Sequence, residues 1–397
     1  MRAMLRAMQA EPFHIAIPQA DLDDLQRRLA HARWSPELDN DDWRYGTSGR
    51  YLRELVDYWQ TGFDWRAQER AMNQLPQFRA SIDGTPIHFV HRRGRGPAPM
   101  PLLLGHGWPW TFWDFQKLIE PLADPARFGG DPGDAFDVVV PSLPGYTFST
   151  PLARSGINFW RTADLWVTLM DGLGYARFAA QGGDWGALVA AQLGHKYADR
   201  LYGVHLHFLT PLGQFGGRSV DASDYAEHER DLLDGNRRFV RDGSGYAGIQ
   251  STRPQTLAHG LDDSPIGLCA WLIEKRRAWS DCDGDVERVF SKDDLLTTVG
   301  LYWLTRSFGS SARYYYEAVH DPWRPSHDRQ PVVEAPTGVA VFPRDVVRMP
   351  RRWIERYYRL ERYTEMSSGG HFAPMERPDA LIDELRSFFR PLRARDA

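Results

Sequence analysis

Cysteine is scarce in this 397-residue sequence, long apolar runs are missing and net charge is small; each shortage excludes something. Two cysteines, Cys269 and Cys282, cannot make a disulfide framework and lack the paired spacing of a metal site. Cys269 lies within the apolar run GLCAWLI and reads as a small buried hydrophobe. No stretch approaches ~18 uncharged apolar residues, so no membrane-crossing helix or anchor is expected. The opening MRAMLRAMQAEPFHIAIP has arginines but no sustained apolar segment, which argues against a secretory leader. The basic residues are almost all arginine, and a formal net charge of −4 provides no field for nucleic acid or an anionic membrane. There is no internal repeat and no low-complexity segment. What remains is an ordinary globular balance, 42 % apolar and 25 % charged, expected to be soluble and cytoplasmic. Aromatic residues, by contrast, are abundant: 15 Trp, 16 Tyr and 20 Phe suit a core or the wall of an apolar pocket.

The chain changes rhythm three times. Residues 1–77 carry helical spacing, with Leu22, Leu25 and Leu29 in one stretch and Leu52, Leu55, Val56 and Trp59 in a second. Neither stripe buries itself, so this N-terminal helical segment is expected to pack on the core. Residues 78–212 begin with FRASIDGTPIHFVHRR, two strands around an Asp83-Gly84 turn. Short apolar runs then alternate with helical patterns, the signature of a mostly parallel sheet with helices on both faces. Residues 213–320 lose the strands and read as a helical cap. Residues 321–397 return to strands, TGVAVFP and RYTEMS, and close on a helix. The expectation is an α/β core interrupted late in its sheet by a helical lid.

Three motifs carry chemistry. Gly182-Gly183-Asp184-Trp185-Gly186 sits between a strand and a helix, where small flanking residues permit the tight turn that presents a nucleophile. Here the apex is a carboxylate, Asp184; a plain Gly-rich turn with an Asp cap is the bland alternative. His106-Gly107-Trp108-Pro109 follows the strand PLLL. In α/β-hydrolases the loop at that place supplies one oxyanion-hole N–H, here that of Trp108, and the residue after the nucleophile, Trp185, supplies the other. The His106 side chain is expected to tie that loop down. Gly369-Gly370-His371-Phe372 follows the last strand, where a general base belongs in the order nucleophile, acid, base. Asp345, in FPRD at the end of the preceding strand, is the preferred acid, with Glu361 and Glu365 ranked behind it.

Taken together, HGWP, SLPGYTFS, GGDWG, STRPQT, DSPIGL, LYWLT, FPRD and GGHFAPMERP resemble the microsomal-type epoxide hydrolases. The resemblance runs in the same order from about residue 12 to the last helix, PQADLDDLQRRL and FDWR included. It implies an α/β-hydrolase fold and an epoxide substrate opened by Asp184 without metal or organic cofactor. It further implies that two cap tyrosines protonate the epoxide oxygen. By local context these match Tyr246, in GYAGIQSTRP, and Tyr315, in SSARYYYE, where Tyr314 and Tyr316 are neighbouring candidates. Some members of the family carry Glu where this chain has Asp345. Trp110 stands where a small residue is expected, and with Trp185 it is expected to line and narrow the substrate pocket. Many relatives carry a membrane anchor ahead of this region, so a soluble microbial-type member is the natural expectation. Detoxification and secondary metabolism are the settings the family suggests, and a homodimer is the default assembly.

Two other readings compete. A haloalkane-type dehalogenase uses the same Asp and His but needs halide donors, which Trp185 could supply. A non-catalytic hydrolase-fold binding protein is the rival from another class. A serine esterase is disfavoured because no serine occupies the elbow.

Overall fold

The computed structural model describes residues 10–210 and 220–393. Its strands are β1 (Glu11–Phe13), β2 (Gln77–Ile82), β3 (Thr85–Arg92), β4 (Met100–Gly105), β5 (Phe136–Pro141), β6 (Phe178–Gly182), β7 (Leu201–Leu206), β8 (Val333–Val341) and β9 (Tyr358–Glu365). They form one sheet in the order β1-β2-β3-β5-β4-β6-β7-β8-β9. Every neighbouring pair from β5 to β9 is parallel, and β1, β2 and β3 extend the sheet antiparallel at one edge. Asp83 and Gly84 take φ of 48° and 73°, the two positive values that a two-residue hairpin turn requires. Leu102 to Leu104 on β4 and Val138 to Val140 on β5 are fully buried, because helices cover both faces of the sheet.

The strand order positions the site. The chain leaves β4 on one side to make β5 and returns on the other to make β6, so the loops leaving β4 and β6 part around a crevice. In open α/β sheets that crevice, at the carboxyl ends of the strands, is where ligands bind. HGWP follows β4 and GGDWG follows β6.

Between β7 and β8 the described chain is helical, running from Arg230–Arg238 through Gly245–Thr252, Pro254–Leu261, Pro265–Trp279 and Lys292–Leu304 to Phe308–His320. The expected start of this stretch, residue 213, lies outside the described residues, as does the first half of the opening segment read for a leader. Among the described residues no helix is long and apolar enough to cross a membrane.

The N-terminal helices Gln19–Ala30, Gly49–Thr61 and Trp65–Met72 depart from expectation. They and the turn before the second lean mostly on the inserted helices: Arg28 bonds to Asp263 at 2.7 Å, Thr47 to the Ala270 carbonyl at 2.7 Å and Tyr58 to Asp293 at 2.8 Å. The end of the third reaches the sheet, where Gln77 of β2 donates to the Met72 carbonyl at 2.9 Å. The sheet's own faces are already occupied by helices such as Trp185–Lys196 and Pro378–Arg393. The three-residue strand β1 joins the sheet edge, too short for its pattern to be read in advance.

One buried ion pair fastens the helical layer to the core. Arg276, on helix Pro265–Trp279, bonds Asp114 through two nitrogens at 2.6 and 3.1 Å and the Pro109 carbonyl at 3.0 Å. Its guanidinium also lies 4.2 Å from the Phe372 ring centre. A lone Asp114 in that place would be an uncompensated buried charge. Arg276→Met should therefore cost about 3–5 kcal/mol of stability. Adding Asp114→Asn should recover much of the loss, as urea denaturation of the single and double variants will report.

Candidate active site

The turn from β6 into helix Trp185–Lys196 holds Asp184 at φ 49° and ψ −128°, a strained conformation for a residue with a side chain. Packing enforces it. A Cβ on Gly186 would stand 2.0 Å from the Gly105 carbonyl oxygen, so the helix seats against β4 only with glycine there. Across the crevice, a Cβ on Gly107 would fall 2.1 Å from Asp184 Oδ1. The HGWP backbone thus reaches the carboxylate directly, and the Trp108 N–H donates to Asp184 Oδ1 at 2.8 Å. Trp185 is the first residue of its helix, where an N–H has no intrahelical acceptor.

His371 comes from the loop after β9. Its Nε2 lies 3.4 Å from Asp184 Oδ2, and its Nδ1–H donates to Asp345 Oδ1 at 2.8 Å. The loops bearing Asp345 and His371 are joined by a bridge between Arg344 and Gly370. Glu361 and Glu365 belong to β9, and it is Asp345 that meets the imidazole. His371 is buried between two carboxylates. Burial disfavours its charge, but Asp345 and Asp184 outweigh burial and the imidazole is pushed up to about 9.

Tyr246 and Tyr315 share a cavity of about 450 Å³ with Asp184, Trp185 and His371. Their rings meet edge to face at 5.8 Å. Burial, with the Asp184 charge adding to it, raises the pKa of both phenols, so both stay protonated. The run of three tyrosines is sorted by helical geometry. Tyr314 turns away to bond Thr162 at 2.8 Å, Tyr316 is exposed, and Tyr315 faces the cavity. Trp108 stacks on Tyr246 at 5.1 Å and Trp185 meets Tyr315 edge-on at 4.8 Å, fixing both rings.

Trp110 does not line the cavity, contrary to expectation. It is fully buried, stacked on His207 at 5.7 Å and edge-on to His371 at 5.5 Å. Its bulk fills the space beneath the imidazole because the chain after Pro109 turns inward, where the Trp110 carbonyl accepts from Tyr302 at 2.8 Å. His106 is a tether. Its ring bonds the Gly107 carbonyl and the Leu143 N–H, both at 3.0 Å, and burial holds its pKa down to about 4.

Comparison with known proteins identifies the family. The model for the epoxide hydrolase N terminus matches residues 10–115, and that for the alpha/beta hydrolase fold matches residues 100–210. A protein of Stigmatella aurantiaca is 42 % identical, the alignment covering 97 % of this chain and 86 % of that protein. Epoxide hydrolase 1 of Sus scrofa is 35 % identical over 95 % of this chain and 88 % of its own. The chain belongs to the epoxide hydrolase family. The solved Aspergillus niger epoxide hydrolase, 31 % identical, superposes with a TM-score of 0.84 over 97 % of both chains.

Sequence reasoning missed three residues of this epoxide hydrolase site. Trp279 lies 5.2 Å from the His371 ring and 5.0 Å from that of Tyr246, so one side chain of the inserted helices touches both. Arg276 holds the HGWP loop, and Glu376 binds the loop of the base. Among the described residues no three His, Cys, Asp or Glu side chains gather in a way that would hold a metal ion.

The coupling between Asp184 and His371 is measurable. Asp184 favours the imidazolium, so Asp184→Ala should lower the His371 pKa from about 9. A titration of the ring resonances by NMR will show the fall; an unmoved curve would contradict the coupling.

Proposed function

We propose that this chain converts an epoxide and water to a vicinal diol through an ester on Asp184. The observation that carries the reading is the pair of phenols, Tyr246 and Tyr315, sharing one cavity with a carboxylate nucleophile. Asp184 Oδ2, which has no backbone donor among the described residues, attacks a ring carbon in line, and the carbon–oxygen bond on the far side breaks. The departing oxygen takes a proton from Tyr246 or Tyr315, a donor suited to a strongly basic alkoxide. Asp184 Oδ1, already held by the Trp108 N–H at 2.8 Å, becomes the ester carbonyl oxygen.

Alkylation also prepares the second step. It removes the Asp184 charge, one of the two that hold His371 protonated, so the imidazolium gives up its proton, through solvent, to the tyrosinate and becomes a general base. His371, oriented by Asp345, takes a proton from water as that water attacks the Asp184 carboxyl carbon. Negative charge gathers on Oδ1, where the Trp108 and Trp185 N–H groups stabilise it. The diol oxygen leaves with the proton from His371, and the proton shed by the regenerated carboxylic acid returns to His371, restoring the resting imidazolium.

The cavity's remaining wall is mostly apolar, with Leu188, Phe208, Phe239, Val319 and Val346 outweighing the hydroxyls of Thr210, Ser244 and Ser251, which suits a bulky neutral or aryl epoxide. All the groups named come from one chain, so in this reading a homodimer would not be needed to complete the site. The proposal takes the enzyme as cytoplasmic. The Trp185 indole N–H, the donor a halide would need, is also without a partner among the described residues. Diol formation and halide release, assayed side by side, separate the two chemistries.

His371→Ala should stop the second half-reaction and spare the first. Incubated with an aryl epoxide, that variant should gain the mass of one substrate on the peptide containing Asp184. No adduct, under conditions where the parent enzyme makes diol, would rule out the covalent path. Tyr246→Phe with Tyr315→Phe should slow adduct formation by about 10²–10⁴-fold or more, as expected when positioned proton donors are lost.

A further inference from the structure

The loop that carries His371 has no regular secondary structure around the base, yet it is fully bonded. Four consecutive amides find acceptors outside the loop's own turn. The Gly369 N–H donates to Asp281 Oδ2 at 2.8 Å and the Gly370 N–H to Glu376 Oε2 at 2.9 Å. The His371 N–H donates to the Trp279 carbonyl at 2.9 Å and the Phe372 N–H to Glu376 Oε1 at 2.8 Å. Glu376 Oε2 accepts a third amide, that of Asp281, at 2.8 Å. One buried carboxylate therefore grips the residues on either side of His371 and links them to the segment that ends helix Pro265–Trp279. That same segment places Trp279 against the imidazole.

We infer that Glu376 is a positioning residue for the general base, setting the direction of the His371 imidazole toward Asp184 by clamping the Gly370 and Phe372 amides. The inference rests on the two-step reading above. A carboxylate is required for geometric reasons. Three N–H donors converge on two acceptor oxygens, and a carboxamide would turn its NH₂ toward at least one of them. The displacement that follows is small, and it falls on the one group that must meet both a water and the ester carbon.

The test is Glu376→Gln in the full chain, with melting checked first. Ester hydrolysis should fall about 100-fold, the scale expected of a ~1 Å misplacement, while alkylation stays within about threefold. The alkyl-enzyme should then accumulate in rapid-quench samples, with kcat and KM falling together and kcat/KM held. The His371 ring resonances and their titration should also move. An imidazole spectrum identical to the parent's overturns the inference, as does a fall in kcat/KM matching that in kcat. Should Glu376→Gln fail to fold, Glu376→Asp keeps the charge but withdraws it by one methylene, and the same measurements decide. If His371→Ala never forms an adduct, the covalent reading fails, and the Glu376→Gln imidazole spectrum still decides the positioning role.

Discussion

Two carboxylates, Asp184 and Asp345, are buried on either side of one imidazole, and much of the architecture follows from keeping those three groups charged and aimed. Isolated buried anions are costly, so each must find a cation or N–H donors. Asp345 takes the His371 Nδ1–H and the Val346 amide at 2.8 and 2.7 Å. Asp184 takes the Trp108 amide on one oxygen and faces His371 with the other. While Asp184 is ionised, both carboxylates favour the imidazolium of His371; once Asp184 is esterified, only Asp345 does. In the proposed scheme that loss lowers the proton affinity of His371, so the imidazole becomes free to act as a base when water must attack.

Rigidity around this triad comes from backbone more than from side-chain packing. The elbow needs Gly186 against Gly105, the oxyanion loop needs Gly107 against Asp184, and the base loop has its amides held by Glu376 and by the segment from Trp279 to Asp281. The inserted helices are therefore more than a cover over the cavity. Through Arg276 they hold the oxyanion loop, through Trp279 they touch the base and Tyr246, and through Tyr246 and Tyr315 they supply the proposed acid. The N-terminal helices, in turn, brace that layer from outside.

Features legible in the sequence were those whose requirement is local. Asp83-Gly84 announces a hairpin because few other pairs take two positive φ values in succession, and GGDWG announces an elbow because its glycines are needed within one turn. The order of motifs pointed to Asp345 and His371, which meet in space. Contacts between distant segments left no such trace. Arg276 reads in the sequence as an ordinary basic residue at a helix end, and its Asp114 partner lies in a turn far up the chain. Glu376 looks like one more acid before a terminal helix, since its three donors are backbone amides that no side-chain pattern encodes. Trp110 was misplaced because bulk beside a catalytic loop does not say which way the side chain points; the inward turn after Pro109 does.

The covalent ester on Asp184 is the claim on which the remaining chemistry rests, and oxygen exchange tests it most directly. The enzyme would be cycled through many turnovers of an aryl epoxide in heavy-oxygen water, and the peptide containing Asp184 then weighed. Attack of water on the carboxyl carbon predicts heavy oxygen in the Asp184 side chain. Diol produced over those turnovers with an unlabelled Asp184 would mean that water attacks the epoxide directly, and would contradict the account.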